Sequence, residues 1–418
     1  MLTSIVAALM SVLATLTSTA QVEQTVLEQG YANQTPYGNA ERSTIRTPPA
    51  GYALAFVETV GRHGSRTVTS SARERRTLKI WQRARKQDAL TGLGGGLDRD
   101  IRAFQRPEQR IGYGNLSAIG AAEWKGIGRR TADVYGRYLA DATARGDEIV
   151  FTTSPVQRTV ESADAMRDGL ESEVPGLHVG EYVTDAARLL IGNGASFAGN
   201  RATRDVLTSE EVVEAARHVL TGLYDADFVD TIDDPVDAAL DLYLLYATAP
   251  GMAAETQVTF ARYVPIEDAR VLAYAVDAQN FYQFGPGVEG EDSSYTAARP
   301  LLDDFFTALD ERLAGGSTAA VFRLAHGETT MPLAALMRLP GSDRQVPAEQ
   351  TYTYAGNPWR GEVAGRLAGS IEWAAYTDAD GRALVTVRHD ERPVELSRRC
   401  QAVVPYFYRP AELRRCLD

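Results

Sequence analysis

The chain has few histidines, few cysteines and no excess of positive charge. Its 418 residues include five histidines and two cysteines, and the formal net charge is -12. That acidic balance argues against a nucleic-acid binder, because affinity for a phosphate backbone comes from a broad excess of Lys and Arg. Any anion site must therefore be a local basic pocket. The two cysteines, Cys400 and Cys416, lie near the C-terminal end and away from histidine, which argues against a thiol enzyme or a zinc site. Beyond residue 20 no segment is long and apolar enough to cross a membrane. No repeat of fixed period is present. A composition of 44% hydrophobic and 23% charged residues is that of an ordinary folded protein, not of a fibre or a disordered chain.

The chain opens with an uncharged apolar run, LTSIVAALMSVLATLTSTA at 2–20, in which Ser18 and Ala20 stand where a signal peptidase needs small residues. Residues 1–20 are accordingly expected to be a signal peptide that sends the protein to the periplasm, the cell surface or the medium. The alternative is a retained N-terminal anchor, since no Lys or Arg marks a positive start. In an exported protein, Cys400 and Cys416 are expected to form a disulfide that closes a loop of about 15 residues and contributes about 3 kcal/mol by chain entropy. Two unpaired small residues are the other reading.

The length points to one large domain with an insertion, or to two domains. Residues 52–60 (YALAFVETV), 148–154 (EIVFTTS) and 317–325 (STAAVFRLA) read as buried strands. A helix is expected from Pro155, a favoured first helical residue, and another after residue 325 with Pro332 near its start. A long helix pattern covers 114–140 and begins near Ser117, a good cap. The glycine cluster at 92–96 reads as a flexible loop and lacks the lysine of a Walker-type phosphate loop. Residues 71–87 form a helix with seven basic residues, which is either a positive wall over an anion site or a solvated face. Residues 369–396 read as two strands around the turn Asp378–Gly381; the acidic turn DADG invites a calcium reading but lacks the further ligands of an EF-hand, so a plain hairpin is expected. The fold class is α/β: a doubly wound core sheet with helices on both faces, built from 21–185 and 276–418, with a mainly helical cap inserted at 186–275.

Each buried strand ends in charged residues followed by a helix. The first delivers Arg62, His63 and Arg66, the second Arg158, and the third His326 and Glu328. Ligands of open α/β sheets bind outside the carboxyl ends of the strands, and helix N-termini there favour anions. Guanidinium groups bind a phosphomonoester through paired hydrogen bonds, which suits Arg62, Arg66 and Arg158. An uncharged imidazole can attack phosphorus in line, and His63 stands between two of those arginines. Glu328, two residues after a second histidine, can protonate the leaving oxygen and later take a proton from water. The remaining histidines, His178, His218 and His389, lack such a context.

These residues resemble the histidine phosphatase superfamily in its acid phosphatase and phytase branch. RHGSR at 62–66 matches the branch's RHGxR signature, LSAIGAAEWKGIGRR is similar to a second conserved region, and TSPVQRTVESADAM to the segment carrying a third arginine. HGETTMPL at 326–333 resembles the HAE motif of multiple inositol polyphosphate phosphatases rather than the His-Asp of other members. TPYGN (35–39) and FYQFGPG (281–287) are similar to further segments of that family. The resemblance implies a small-molecule phosphomonoester substrate of the inositol phosphate class, phytate included, and no metal or other cofactor. No nucleic-acid partner and no membrane span after leader removal are expected. It implies His63 as nucleophile, Arg62, Arg66, Arg158 and His326 as the phosphate clamp, and Glu328 as proton donor. Thr67 and Val68 replace a proline common in the branch, which bears on substrate contacts, and Gly327 replaces an alanine, which bears on the placement of Glu328. The rival readings are a broad acid phosphatase acting on sugar phosphates and an exported binding protein that turns nothing over; a phosphoglycerate-mutase-type enzyme fits less well.

Overall fold

The computed structural model describes residues 29–38, 44–177 and 179–418; the expected signal peptide and His178 lie outside them. Its frame is a seven-stranded sheet formed by β1 (Ala53–Arg62), β2 (Glu148–Thr153), β3 (Val183–Thr184), β4 (Thr318–Ala325), β5 (Ser370–Thr377), β6 (Ala383–His389) and β7 (Arg392–Pro393). The order across the sheet is β3-β2-β4-β1-β5-β6-β7. The first four in that order run parallel, so β1, β2 and β4 present their carboxyl ends along one edge, while β5 lies antiparallel to β1 and begins the meander that completes the sheet.

The strands are buried on both faces, as a sheet covered by helices on each side requires. Alternation sorts their side chains. Phe56, Val60, Val321, Ala325, Ile371 and Trp373 point to one face, and Val57, Ala320, Phe322, Leu324 and Ala374 to the other. The helices of eight or more residues are α1 (Ala72–Lys86), α2 (Leu97–Ile111), α3 (Ala118–Ala144), α4 (Gln157–Glu173), α5 (Phe197–Leu207), α6 (Glu210–Thr221), α7 (Pro235–Thr248), α8 (Ile266–Phe284), α9 (Arg299–Leu313), α10 (Gly327–Leu336) and α11 (Pro410–Leu417). α9, α10 and α11 cover the first face; α3 and α4 cover the second.

A separate apolar cluster joins α1 and α2 to α6, α7 and α8 through Trp81, Phe104, Leu220, Tyr243 and Leu272. The helical layer thus draws on residues before β2 as well as on the stretch 186–275. The glycine cluster allows this contact, for a Cβ on Gly94 would lie 2.0 Å from the Leu223 carbonyl oxygen.

Two sequence expectations shift. α4 starts at Gln157 and not at Pro155, because Ser154 Oγ takes the Val156 N–H at 3.2 Å and the chain turns once before winding. Pro332 lies inside α10 rather than near its start, where its missing N–H cannot bond the Glu328 carbonyl. The Cys400–Cys416 disulfide is formed, with the Cα atoms 5.2 Å apart. The DADG turn is a hairpin in which Asp378 accepts the N–H groups of Asp380 and Arg382. No helix among the described residues is long and apolar enough to cross a membrane.

Candidate active site

The carboxyl ends of β1, β2 and β4 bring the six predicted site residues together. Arg62 closes β1, and His63 follows with its N–H on the Ala325 carbonyl at 2.9 Å, which ties it to the end of β4. Three glycines make the turn possible. A Cβ on Gly61 would fall 2.3 Å from the ring of Trp124, one on Gly64 2.5 Å from the Gly120 carbonyl oxygen, and one on Gly120 2.1 Å from the Ser65 carbonyl oxygen. The segment Gly61–Ser65 therefore lies directly on the first turns of α3. Ser117 caps that helix, its Oγ accepting the Gly120 N–H at 3.1 Å. Glu123, one turn on, accepts the N–H and the hydroxyl of Ser65 at 2.7 and 2.9 Å and the N–H of Tyr37 at 2.9 Å.

His63 is buried, and its Nδ1 lies 2.9 Å from the Gly64 carbonyl oxygen. A carbonyl can only accept, so Nδ1 carries the proton and Nε2 keeps a free lone pair. Burial and the charges of Arg62, Arg158, Arg66 and His326 hold the ring's pKa well below that of free histidine. The uncharged ring, with its bare Nε2, thus persists in acid.

The ring of His326 lies 5.5 Å from that of His63, centroid to centroid. Arg158 Nη2 meets His326 Nδ1 at 3.0 Å. Because a guanidinium only donates, Nδ1 is the acceptor and Nε2–H donates to Ser154 Oγ at 2.8 Å. Both ring nitrogens are engaged, so His326 faces a phosphate with a donor only after Arg158 turns away. Burial and Arg158 lower its pKa to about 4.

Arg62 donates through Nη1 to the carbonyl oxygens of Asn33 and Gly365, and Arg66 through Nη1 to that of Thr67. The Nε atoms of Arg62, Arg66 and Arg158 have no protein acceptor. Clustered cations with unspent donors form a site for an anion rich in oxygen. Burial and mutual repulsion lower Arg62 to about 10 and Arg66 to about 9. Glu328, in the first turn of α10, is open to the cleft. Burial of its surroundings pushes its pKa up, but Arg62, its own N–H, His326 and Arg66 hold it below the ordinary carboxylate value. A Cβ on Gly327 would come within 3.2 Å of the Arg62 guanidinium, so glycine bears on Arg62 at least as much as on Glu328.

A cavity of about 220 Å³ adjoins Arg66 between the loop after β1 and helices α7 and α8. Amides line it, namely Asn33, Gln34, Gln279, Asn280 and Gln283, together with Arg73. Among the basic residues of α1 only Arg73 reaches this cavity, and Asp241 of α7 binds it at 2.9 Å and also holds Arg76. Arg83 bonds Thr231 and stacks on Phe228, and Arg75, Lys79, Arg85 and Lys86 lie on a solvated face. Glu123, Ser154, Asp241 and the amide wall were not singled out from sequence. For Glu123 a signal existed, a carboxylate one turn into a capped helix beside glycines; the others act on partners far along the chain.

Residues 53–371 match the histidine phosphatase superfamily (branch 2). The sequence has no match among curated proteins. Among solved structures, the chain superimposes on the multiple inositol polyphosphate phosphatase of Bifidobacterium longum in complex with inositol hexasulfate with a TM-score of 0.88 and 26% identity, over 93% of this chain and 97% of that one. The phytase of D. castellii (TM-score 0.65, 13% identity, 94% and 85% covered) and that of Hafnia alvei with myo-inositol hexakis sulphate (0.56, 13%, 88% and 97%) share the fold. The chain belongs to branch 2 of the histidine phosphatase superfamily and is a histidine-type phosphatase.

Proposed function

We propose that this protein hydrolyses inositol polyphosphates, phytate among them, through a phosphohistidine on His63. The observation that carries the mechanism is the bare Nε2 of a buried, uncharged His63 amid arginines whose Nε donors are unspent. Arg62, Arg66 and Arg158 hold the phosphate oxygens; Nε2 forms the N–P bond as the P–O bond to the inositol oxygen breaks, and Glu328 gives that oxygen its proton. Water then attacks phosphorus, returning a proton to Glu328 and freeing His63. Arriving phosphate draws Arg158 off His326 and favours a proton on His326, which then joins the clamp. The substrate class is supported by the likeness to a relative solved with inositol hexasulfate. The stretch 186–275 serves as the cap, and the cavity between α7, α8 and the loop after β1 takes the rest of the substrate. Export from the cell accords with the disulfide. Phosphate release from phytate, glucose phosphate and an aryl phosphate by purified protein without added metal tests the reading. Phytate is expected to be the best substrate; efficient use of glucose phosphate in its place would favour a broad acid phosphatase.

A further inference from the structure

Two carboxyl groups outside the arginine cluster lie fully buried beneath the segment that carries Arg66. Glu74 comes from α1 and Glu108 from α2. Glu108 Oε1 accepts the Val68 N–H at 2.9 Å, and Glu74 Oε2 accepts the Tyr113 hydroxyl at 3.0 Å. The second oxygen of each, Glu108 Oε2 and Glu74 Oε1, meets no donor. Two neighbouring carboxyls in such a site cannot both hold a charge. One proton between the two free oxygens satisfies both, one group donating and the other accepting.

What the pair holds is a wall of the active site. Val68 stands two residues after Arg66, and both line the cavity. Thr67, between them, donates its N–H to the Asn115 carbonyl at 3.1 Å and its hydroxyl to the Gly112 carbonyl at 2.9 Å. The Val68 carbonyl takes the Gly114 N–H at 2.8 Å. Glu108 completes these bonds on the side facing the helices.

We propose that Glu74 and Glu108 act as one proton-sharing pair that positions Arg66 and Val68, so that the grip on a substrate phosphate requires the pair to keep its proton. The proposal rests on the assignment of Arg66 to phosphate binding made above. Burial, then the hydrogen bond and charge of Glu74, raise Glu108 to about 9, against the pull of the Val68 N–H and of Arg66. Glu108 therefore keeps its proton through the neutral range. The titratable and charged groups facing it are Tyr113 beyond α2 and Arg66 before α1; Arg73 and Arg76 of α1 are engaged by Asp241 of α7. Loss of the shared proton leaves two carboxylates repelling each other in a dry space, and the tie to Val68 shifts with them. Glu74 and Glu108 are positioning residues that touch no substrate.

The test is calorimetric titration of inorganic sulfate into the full chain, because sulfate keeps its charge over the range and needs no turnover. The wild-type dissociation constant is expected to weaken about tenfold between about pH 6 and about pH 10, within what a sub-ångström misplacement of a binding group costs. Glu108→Gln keeps both contacts, its amide donating to Glu74 and its oxygen accepting from Val68, but it cannot titrate. It should bind sulfate like the wild type at the lower pH and lose clearly less of that affinity than the wild type at the higher one, where Arg66 itself begins to give up its charge. Glu74→Gln should do the same, and Glu108→Ala should bind weakly at both, with circular dichroism showing each protein folded. Equal alkaline loss in wild type and both glutamine variants would overturn the proposal and place the loss in Arg66 itself. Absence of wild-type sulfate binding at the lower pH would overturn the assignment of the arginines, and this proposal with it.

Discussion

At the reacting centre, the state of each histidine follows from what its ring nitrogens touch. Gly64 can only accept from His63, and Arg158 can only donate to His326, so the two imidazoles are opposite tautomers and both uncharged. On the proposed mechanism His63→Ala removes the atom that forms the covalent bond, and His63 belongs to none of the apolar clusters of the core; hydrolysis should be lost while the thermal midpoint stays near that of the wild type. Near-normal turnover in the folded variant would take the role from His63. Glu328→Gln should slow phytate by about 100-fold or more, the usual worth of a general acid. An aryl phosphate with a stable phenolate leaving group should slow far less, and equal slowing of both would show that Glu328 acts in another way.

Between elements, the segment Gly61–Ser65 owes its position to contact with α3. Gly64→Ala would set a methyl group against the Gly120 backbone, which has no side chain to move aside. Such overpacking costs about 1–3 kcal/mol, and Arg62 and His63 would move with the backbone. Denaturant midpoints and activity should fall together; an unchanged midpoint would mean the two backbones separate without cost. Gly327→Ala is milder, since its methyl meets the arginine side chain at 3.2 Å. It should raise KM more than it lowers kcat, and stability should change by no more than about 1 kcal/mol. A fall in kcat alone would place the effect on Glu328.

Over the whole molecule, a net charge of -12 surrounds a pocket with several arginines, and that contrast governs the response to pH. The proposed mechanism needs His63 uncharged and Glu328 protonated. In the free enzyme the cations hold both groups below their ordinary values, so the productive form is most abundant in acid. The profile of kcat/KM should be bell-shaped with an acidic optimum, falling at higher pH as Glu328 ionises and at low pH as His63 is charged. Bound phosphate offsets the arginines, so kcat should persist to higher pH than kcat/KM. An optimum well above neutrality, or dependence on a divalent metal shown with a chelator, would contradict this. Stability follows Glu108 in the opposite sense from a paired carboxylate: its raised pKa favours the fold below the ordinary carboxylate value, and that contribution is lost as pH rises toward about 9. Replacing Cys400 and Cys416 by serine should cost about 3 kcal/mol and leave kcat unchanged in the folded protein.

That the residues of the candidate site would come together was legible in the sequence because each follows a buried strand closely. RHGSR leaves β1 and HGE leaves β4, so a strand pattern and a handful of adjacent letters place His63, Arg62, Arg66, His326 and Glu328 at one edge of a sheet. The α/β class was legible for the same reason, since apolar runs of strand length alternate with helix patterns. Contacts between residues distant along the chain were not. That Glu123 holds Ser65, that Asp241 engages the arginines of α1, and that Glu108, with Glu74 beside it, holds Val68 depend on how helices stack. Nor could the sequence say which ring nitrogen of His63 is free, because a tautomer is chosen by a carbonyl oxygen whose direction only the folded backbone sets. Local pattern determined which groups reach the site; long-range packing determined their protonation and aim, because burial and neighbouring charge exist only once the chain has folded.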